Sequence, residues 1–329
     1  MNEFNYGTAI RDGFRHLLEK YEDTVILGQG LWSPWYVGET MKDLDKDFGV
    51  DRVIDTPVSE NACTGVAVGA AIAGLKSIVV HPRMDFMLYA IDPIVNQAAK
   101  WSSMFGGQSN AGLTVRTIIN RGGQQGAQHS QAIHSWFANV PGLRVVMPYS
   151  VKDARDLLIA SALSSDPVIF IDDRWLYDQV DNLPEIEELD LKKQGPCIVS
   201  VGQDITIVGV GYSTFLASEA SKKLKENNVS AEVIDLRVIN PLKTDLILNS
   251  VKKTGRLIVI DGGWESCGIG AEVIAKVMEN LPLNKLRSKV KRFSPLFAPA
   301  PSSGKLEKEY YPQVEDIVIE IIKLLKNDD

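Results

Sequence analysis

Short apolar runs alternate along the chain with longer stretches in which apolar positions recur every three or four residues. The runs at Thr24 to Gly28, Ser77 to His81, Val115 to Asn120, Arg144 to Met147 and Val168 to Asp172 look like strands, and most are nearly continuous in apolar character. That is the pattern of parallel strands covered on both faces. Helical periodicity marks Tyr6 to Tyr21, Ser59 to Leu75, Met87 to Ala99 and Val151 to Ala162, the last preceded by Ser150, a good N-cap. Strands and helices in alternation predict an α/β domain.

The pattern lapses into a polar, acidic stretch from Asp178 to Gln194, which contains Pro184 and runs into Gly195-Pro196. This composition predicts a linker. A second α/β unit follows. Strands are expected at Ile205 to Val210, Ala231 to Asp235 and Arg256 to Ile260, and helices at Thr214 to Asn227, Lys243 to Lys253, Gly270 to Glu279 and Val314 to Leu325. The expected division is a domain over 1-180, a linker over 181-196 and a domain over 197-329.

The 329 residues, 45% apolar and 23% charged, suit two ordinary globular domains. A net charge of -7 with scattered lysines argues against nucleic acid as a partner. No apolar run reaches the roughly 18 residues of a membrane span. The start Met1-Asn2-Glu3-Phe4-Asn5 lacks signal-peptide features, so the cytoplasm is the expected compartment. Cys63, Cys197 and Cys267 form no CxxC pair and are expected as small buried residues, with neither a disulfide framework nor a zinc site.

Chemistry concentrates in two places. Ser59 reads as a helix N-cap, which puts Glu60 in the first turn, where the helix dipole favours a carboxylate. Burial against a flat ring would oppose that preference. Gly65, Gly69 and Ala73 then repeat every four residues, a stripe that fits either an interface or a tight internal helix crossing. The second place is the loop Arg121 to Gln131, with three glycines and His129 after an apolar strand, where α/β sheets usually bind ligands. His134 is the weaker candidate, and His16 and His81 have no constellation around them. Gly209-Val210-Gly211 lacks the third glycine of a dinucleotide turn and reads as packing.

Over nearly its whole length the chain resembles the β subunit of the first component (E1) of 2-oxo acid dehydrogenase complexes. The matching blocks include Ile54 to Glu60, Gly65 to Ala71, Asp85-Phe86 with Ala90-Ile91-Asp92, Ala127 to Gln131, Trp136-Phe137-Ala138 into Pro141-Gly142-Leu143, Val233 to Arg237, Asp261 to Trp264 and Gly268 to Glu272. The resemblance implies an α/β fold: a pyrimidine-binding thiamine diphosphate domain (1-180) and a transketolase-type C-terminal domain (197-329). It implies that Glu60 faces N1′ of the aminopyrimidine, that Phe86 packs on that ring and that His129 stands near the reacting carbonyl.

Thiamine diphosphate is then shared with an α subunit in an α2β2 assembly, with Mg2+ expected on the α subunit. Asp261-Gly262-Gly263 comes close to the family's Gly-Asp-Gly anchor, but it lacks the leading glycine, and no asparagine occurs in the next 16 residues. No metal ligand is therefore assigned here. The expected activity is decarboxylation of a 2-oxo acid, pyruvate favoured by Gln128 and Phe86, with transfer of the acyl group to a lipoyl carrier. A lipoyl acyltransferase core is the further partner. Gln29 stands where the family often has an acid, and Tyr89 where a glutamine is frequent. The alternatives are the C-terminal half of a split transketolase and a non-catalytic regulatory or scaffold subunit.

Overall fold

Unbroken apolar runs become strands wherever helices can cover both faces, and they do so twice in this chain. In the computed structural model, which describes residues 2 to 326, the chain packs as two units. One takes the residues up to Arg121 together with Trp136–Gln194; the other takes Gly122–Ser135 and the residues from Gly195 onward.

The first part of the chain runs β1 (Asn2–Asn5), α1 (Tyr6–Lys20), β2 (Thr24–Gly28), α2 (Leu44–Phe48), β3 (Val53–Asp55), α3 (Glu60–Ile72), β4 (Lys76–His81), α4 (Ala99–Met104) and β5 (Leu113–Ile119). After α5 (His134–Ala138) come β6 (Arg144–Val146), α6 (Val151–Ala162), β7 (Val168–Asp173) and β8 (Val180–Leu183). Strands β6, β7, β5, β4, β2 and β3 lie side by side in that order, all parallel. Gly28 is level with both Asp55 and Val80 in the register, so β2, β3 and β4 end together on one edge.

Helix α6 begins as expected, with Ser150 Oγ accepting from the Asp153 N–H at 3.1 Å, and all of it except Lys152 is buried. The stretch expected as one helix over Met87 to Ala99 is instead a 3-10 turn, Phe86–Ala90, then a π-helical segment, Asp92–Ala98, leading into α4. Pro93 is the cause: it has no N–H to give and its ring crowds the preceding turn.

Arg116 on β5 is wholly buried. Its Nε and Nη2 donate to Asp172 at 3.1 and 2.8 Å, and its Nη1 donates to Thr40 Oγ1 at 2.6 Å. Burial pushes the guanidinium pKa down, but Asp172 more than reverses this, so the group stays charged.

The acidic stretch is not a loose tether. Strand β8 pairs antiparallel with β1. Further on, Glu188 accepts from His16 Nε2 at 2.8 Å, Tyr21 OH at 2.9 Å and Lys20 Nζ at 2.8 Å. Partial burial pushes the Glu188 carboxyl up, but these three donors together bring it down to about 2.

The second unit adds β9 (Cys197–Ser200), β10 (Ile205–Gly209), α7 (Tyr212–Glu226), β11 (Ala231–Asp235), β12 (Val238–Asn240), α8 (Asp245–Thr254), β13 (Leu257–Ile260), α9 (Ile269–Asn280), β14 (Lys291–Phe293), α10 (Gly304–Tyr310) and α11 (Val314–Lys326). Its sheet has the order β14-β13-β10-β11-β9, parallel except for β9. Ile207, Val233, Ile258, Leu224 and Ile317 meet in its core. Gly209 serves packing, as expected: a Cβ there would stand 2.7 Å from the Thr214 nitrogen.

The cysteines depart from expectation. Cys63 and Cys197 are half-buried and Cys267 is exposed, because Cys63 lines a cleft and Cys267 occupies the turn into α9 with φ +55°. Among the described residues, no helix is long and apolar enough to cross a membrane.

Candidate active site

Three parallel strands ending together leave a crevice at their carboxyl edge, the usual ligand position in such sheets. Gln29 follows β2, Thr56 follows β3 and His81 closes β4. The crevice floor is tight: a Cβ on Gly28 would lie 2.4 Å from the Val80 carbonyl oxygen. The segments after β2 and β3 are tied together, with Asp55 accepting from the Gly30 N–H at 2.6 Å and Thr56 N–H donating to the Gly28 carbonyl at 2.9 Å.

Glu60 is the first residue of α3. Ser59 holds the N-cap position but makes no capping bond with its side chain, since it is turned to the exposed surface. Glu60 shares a cavity of about 380 Å3 with Gln29, Tyr36, Val58, Phe86 and Tyr89. Phe86 is set there by the 3-10 turn before Pro93. That turn is pinned to α3 where Asn61 Nδ2 donates to the Tyr89 carbonyl at 3.3 Å.

A second niche, only about 10 Å3, shares Gln29 and Glu60 with it and is also lined by Cys63 and His81. His81 is buried, with Nε2 3.0 Å from Thr64 Oγ1, and burial alone lowers its pKa to about 4. It is therefore neutral at ordinary pH.

One carboxyl group, one amide and three aromatic rings around an open cleft suit a flat nitrogen heterocycle. The rings offer stacking faces and the polar pair offers hydrogen bonds to an edge. The structure thus brings Glu60 and Phe86 into one cavity. Tyr36 was not foreseen, because it lies in an irregular turn with Val37 at φ +46°. His81 and its partner Thr64 were also missed, since they are 17 residues apart and on different elements. The small-residue stripe does not make an internal crossing: Gly65 and Gly69 are exposed, with open space where a Cβ would stand.

His129 lies on the segment Gly122–Ser135, which packs with the second unit. Gln124, at φ +61°, donates its N–H to Glu307 Oε2 at 3.2 Å near one end of that segment. At the other end His134 Nε2 lies 2.9 Å from Asp261 Oδ1, both side chains buried.

Asp261 also accepts from the Gly263 N–H at 2.9 Å and the Gly270 N–H at 3.2 Å. Burial pushes its carboxyl up, but His134 and these two amides outweigh that and hold it low. Both oxygens are thus committed to protein donors, and Asp261-Gly262-Gly263 does not fit a metal anchor.

Residues 2–179 match the family described as transketolase, pyrimidine binding domain, and residues 197–317 match the transketolase C-terminal domain. A solved split-gene transketolase, described as an inactive beta4 tetramer, superposes with a TM-score of 0.76 over 99% of each chain, at 19% identity. The class of protein is therefore a two-domain, transketolase-like α/β chain. The pyruvate dehydrogenase E1 component subunit beta-1 of Arabidopsis thaliana is 41% identical over 84% of this chain and 77% of its own. The beta subunit of acetoin:2,6-dichlorophenolindophenol oxidoreductase from Bacillus subtilis is 33% identical over 96% of each. The chain belongs to the family of thiamine diphosphate-dependent E1 β subunits.

Proposed function

We propose that this chain is the β subunit of a cytoplasmic, thiamine diphosphate-dependent 2-oxo acid dehydrogenase, acting on pyruvate together with an α subunit in an α2β2 enzyme. The observation that carries the reading is the single cavity lined by both Glu60 and Phe86. When bound, the cofactor supplies the nucleophilic carbon and the electron sink for decarboxylation. Glu60 holds the proton at N1′ of the aminopyrimidine, and Phe86, Tyr36 and Tyr89 flank the ring. His129 donates to the substrate oxygen on which charge develops. The α subunit supplies Mg2+ and the diphosphate anchor, since Asp261 is already occupied by His134 and two amides. The acyl group passes to a lipoyl group on an acyltransferase core.

Glu60→Gln in the α/β enzyme tests the first role. An amide cannot share the carboxyl proton, so hydrogen-deuterium exchange at C2 of the bound cofactor, followed by NMR, is expected to stop while the fold persists. Exchange at the wild-type rate would refute it. His129→Ala is expected to bind thiamine diphosphate normally and turn over slowly; lost cofactor affinity with normal turnover at saturation would show a structural role instead. The isolated chain, titrated with thiamine diphosphate and Mg2+, is expected not to bind until the α chain is added.

A further inference from the structure

We propose that His134 is a positioning residue for His129, holding the reactive loop through a buried latch onto Asp261. The inference rests on the reading of His129 given above.

The segment Gly122–Ser135 has no regular structure before α5 begins at His134. Its glycines at 122, 123 and 126 all take positive φ. Such a stretch does not fix a side chain by itself; it needs ties at its ends. Two are present. Glu307, on α10 and nearly buried, takes the Gln124 N–H, while Asp261 takes the far end through His134 Nε2 at 2.9 Å.

The second tie is the stiffer. Asp261 is fixed in turn by the Gly263 amide and by the Gly270 amide in the first turn of α9. The backbone comes so close that a Cβ on Gly263 would stand 2.9 Å from the Ala132 carbonyl oxygen and 3.1 Å from His134 Cε1.

His134 Nδ1 is buried with no hydrogen-bond partner. An imidazole kept here for packing alone would be a costly choice over an apolar side chain. The Nε2–H donor is what the site uses. Ionised Asp261 accepts it at 2.9 Å. Loss of that donor frees one end of a strap whose middle carries His129.

The test uses the assembled α/β enzyme. In His134→Ala, amide hydrogen exchange over 122 to 131 is expected to quicken at least tenfold, while exchange over α9 is unchanged. Turnover is expected to fall at least tenfold, with cofactor affinity and C2 exchange within twofold of wild type. His134→Gln, whose amide N–H reaches the place of Nε2, is expected to restore much of both.

Unchanged loop exchange in His134→Ala, or a glutamine variant no better than alanine, would overturn the latch. Loss of C2 exchange in step with turnover would also overturn it, by showing general damage. If the loop loosens but turnover holds, His129→Ala decides which claim has failed. A slow His129→Ala overturns the positioning role of His134, whereas a fully active one overturns the assignment of His129 to catalysis.

Discussion

Acidification should destabilise the first unit through His81, in an amount set by its burial. Its folded-state pKa of about 4 lies below the ordinary value of 6.5. Between those two values the unfolded chain takes up a proton that the folded chain refuses, so stability is lost as pH falls through the window. At about 1.4 kcal/mol per pKa unit, lowering the pH from about 7 to about 5 should cost roughly 2 kcal/mol through this one group.

The assay is denaturant unfolding of wild type and of the double variant His81→Leu, Thr64→Val at both pH values. The double change removes both hydrogen-bonding partners, so no orphaned hydroxyl remains in the core. Absolute stability can move either way; the pH slope is the readout. Wild type should lose about 2 kcal/mol more than the variant between the two conditions. Equal slopes, or an NMR titration placing His81 near its unperturbed value of about 6.5, would refute the reasoning.

Arg116→Met should destabilise the fold by about 3 to 5 kcal/mol, because it leaves the buried Asp172 carboxylate without its bidentate partner; Asp172→Asn added to it should recover part of the loss in the same unfolding assay. Gly142→Ala should cost at least about 1 to 3 kcal/mol, since φ is +96° and the new Cβ would fall 1.9 Å from the Ala99 carbonyl oxygen; a thermal midpoint equal to wild type would contradict this. Glu188→Gln should weaken the protein at neutral pH but not in strong acid, because the depressed carboxyl contributes above its unfolded pKa and its contribution is lost as pH falls toward 2; parallel stability curves would argue against the clasp.

The alternation of apolar runs and periodic stretches made most of the architecture legible: β2 and β11 have the expected bounds, and α6 begins at its serine cap. Short edge elements escaped. Strands β9 and β14 are only four and three residues long, too short for any period to emerge. Strand β8 is largely exposed and polar, so it reads as linker. The Glu60 and Phe86 pairing was legible through motif resemblance, not through periodicity. His134 reads as the weaker candidate because it falls within a stretch that looks helical, and the sequence gives no sign of a partner 127 residues away. Hydrogen bonds of that kind leave no local signature, and only the folded chain shows that His134 holds Asp261 through Nε2.

The packing of Gly122–Ser135 with the later unit also sets an order of events during synthesis. A ribosome adding residues at ordinary rates needs on the order of 10 s or more to travel from His129 to Glu307. Until then the strap has no anchor at Gln124, and until Asp261 emerges it has none at His134. The strands on both sides of the strap can assemble meanwhile, before both of its end ties are made. Nascent chains arrested before α10 should therefore carry a formed pyrimidine-side cavity and a strap that still lacks its tie to Glu307, so that competence for substrate is the last property the chain acquires.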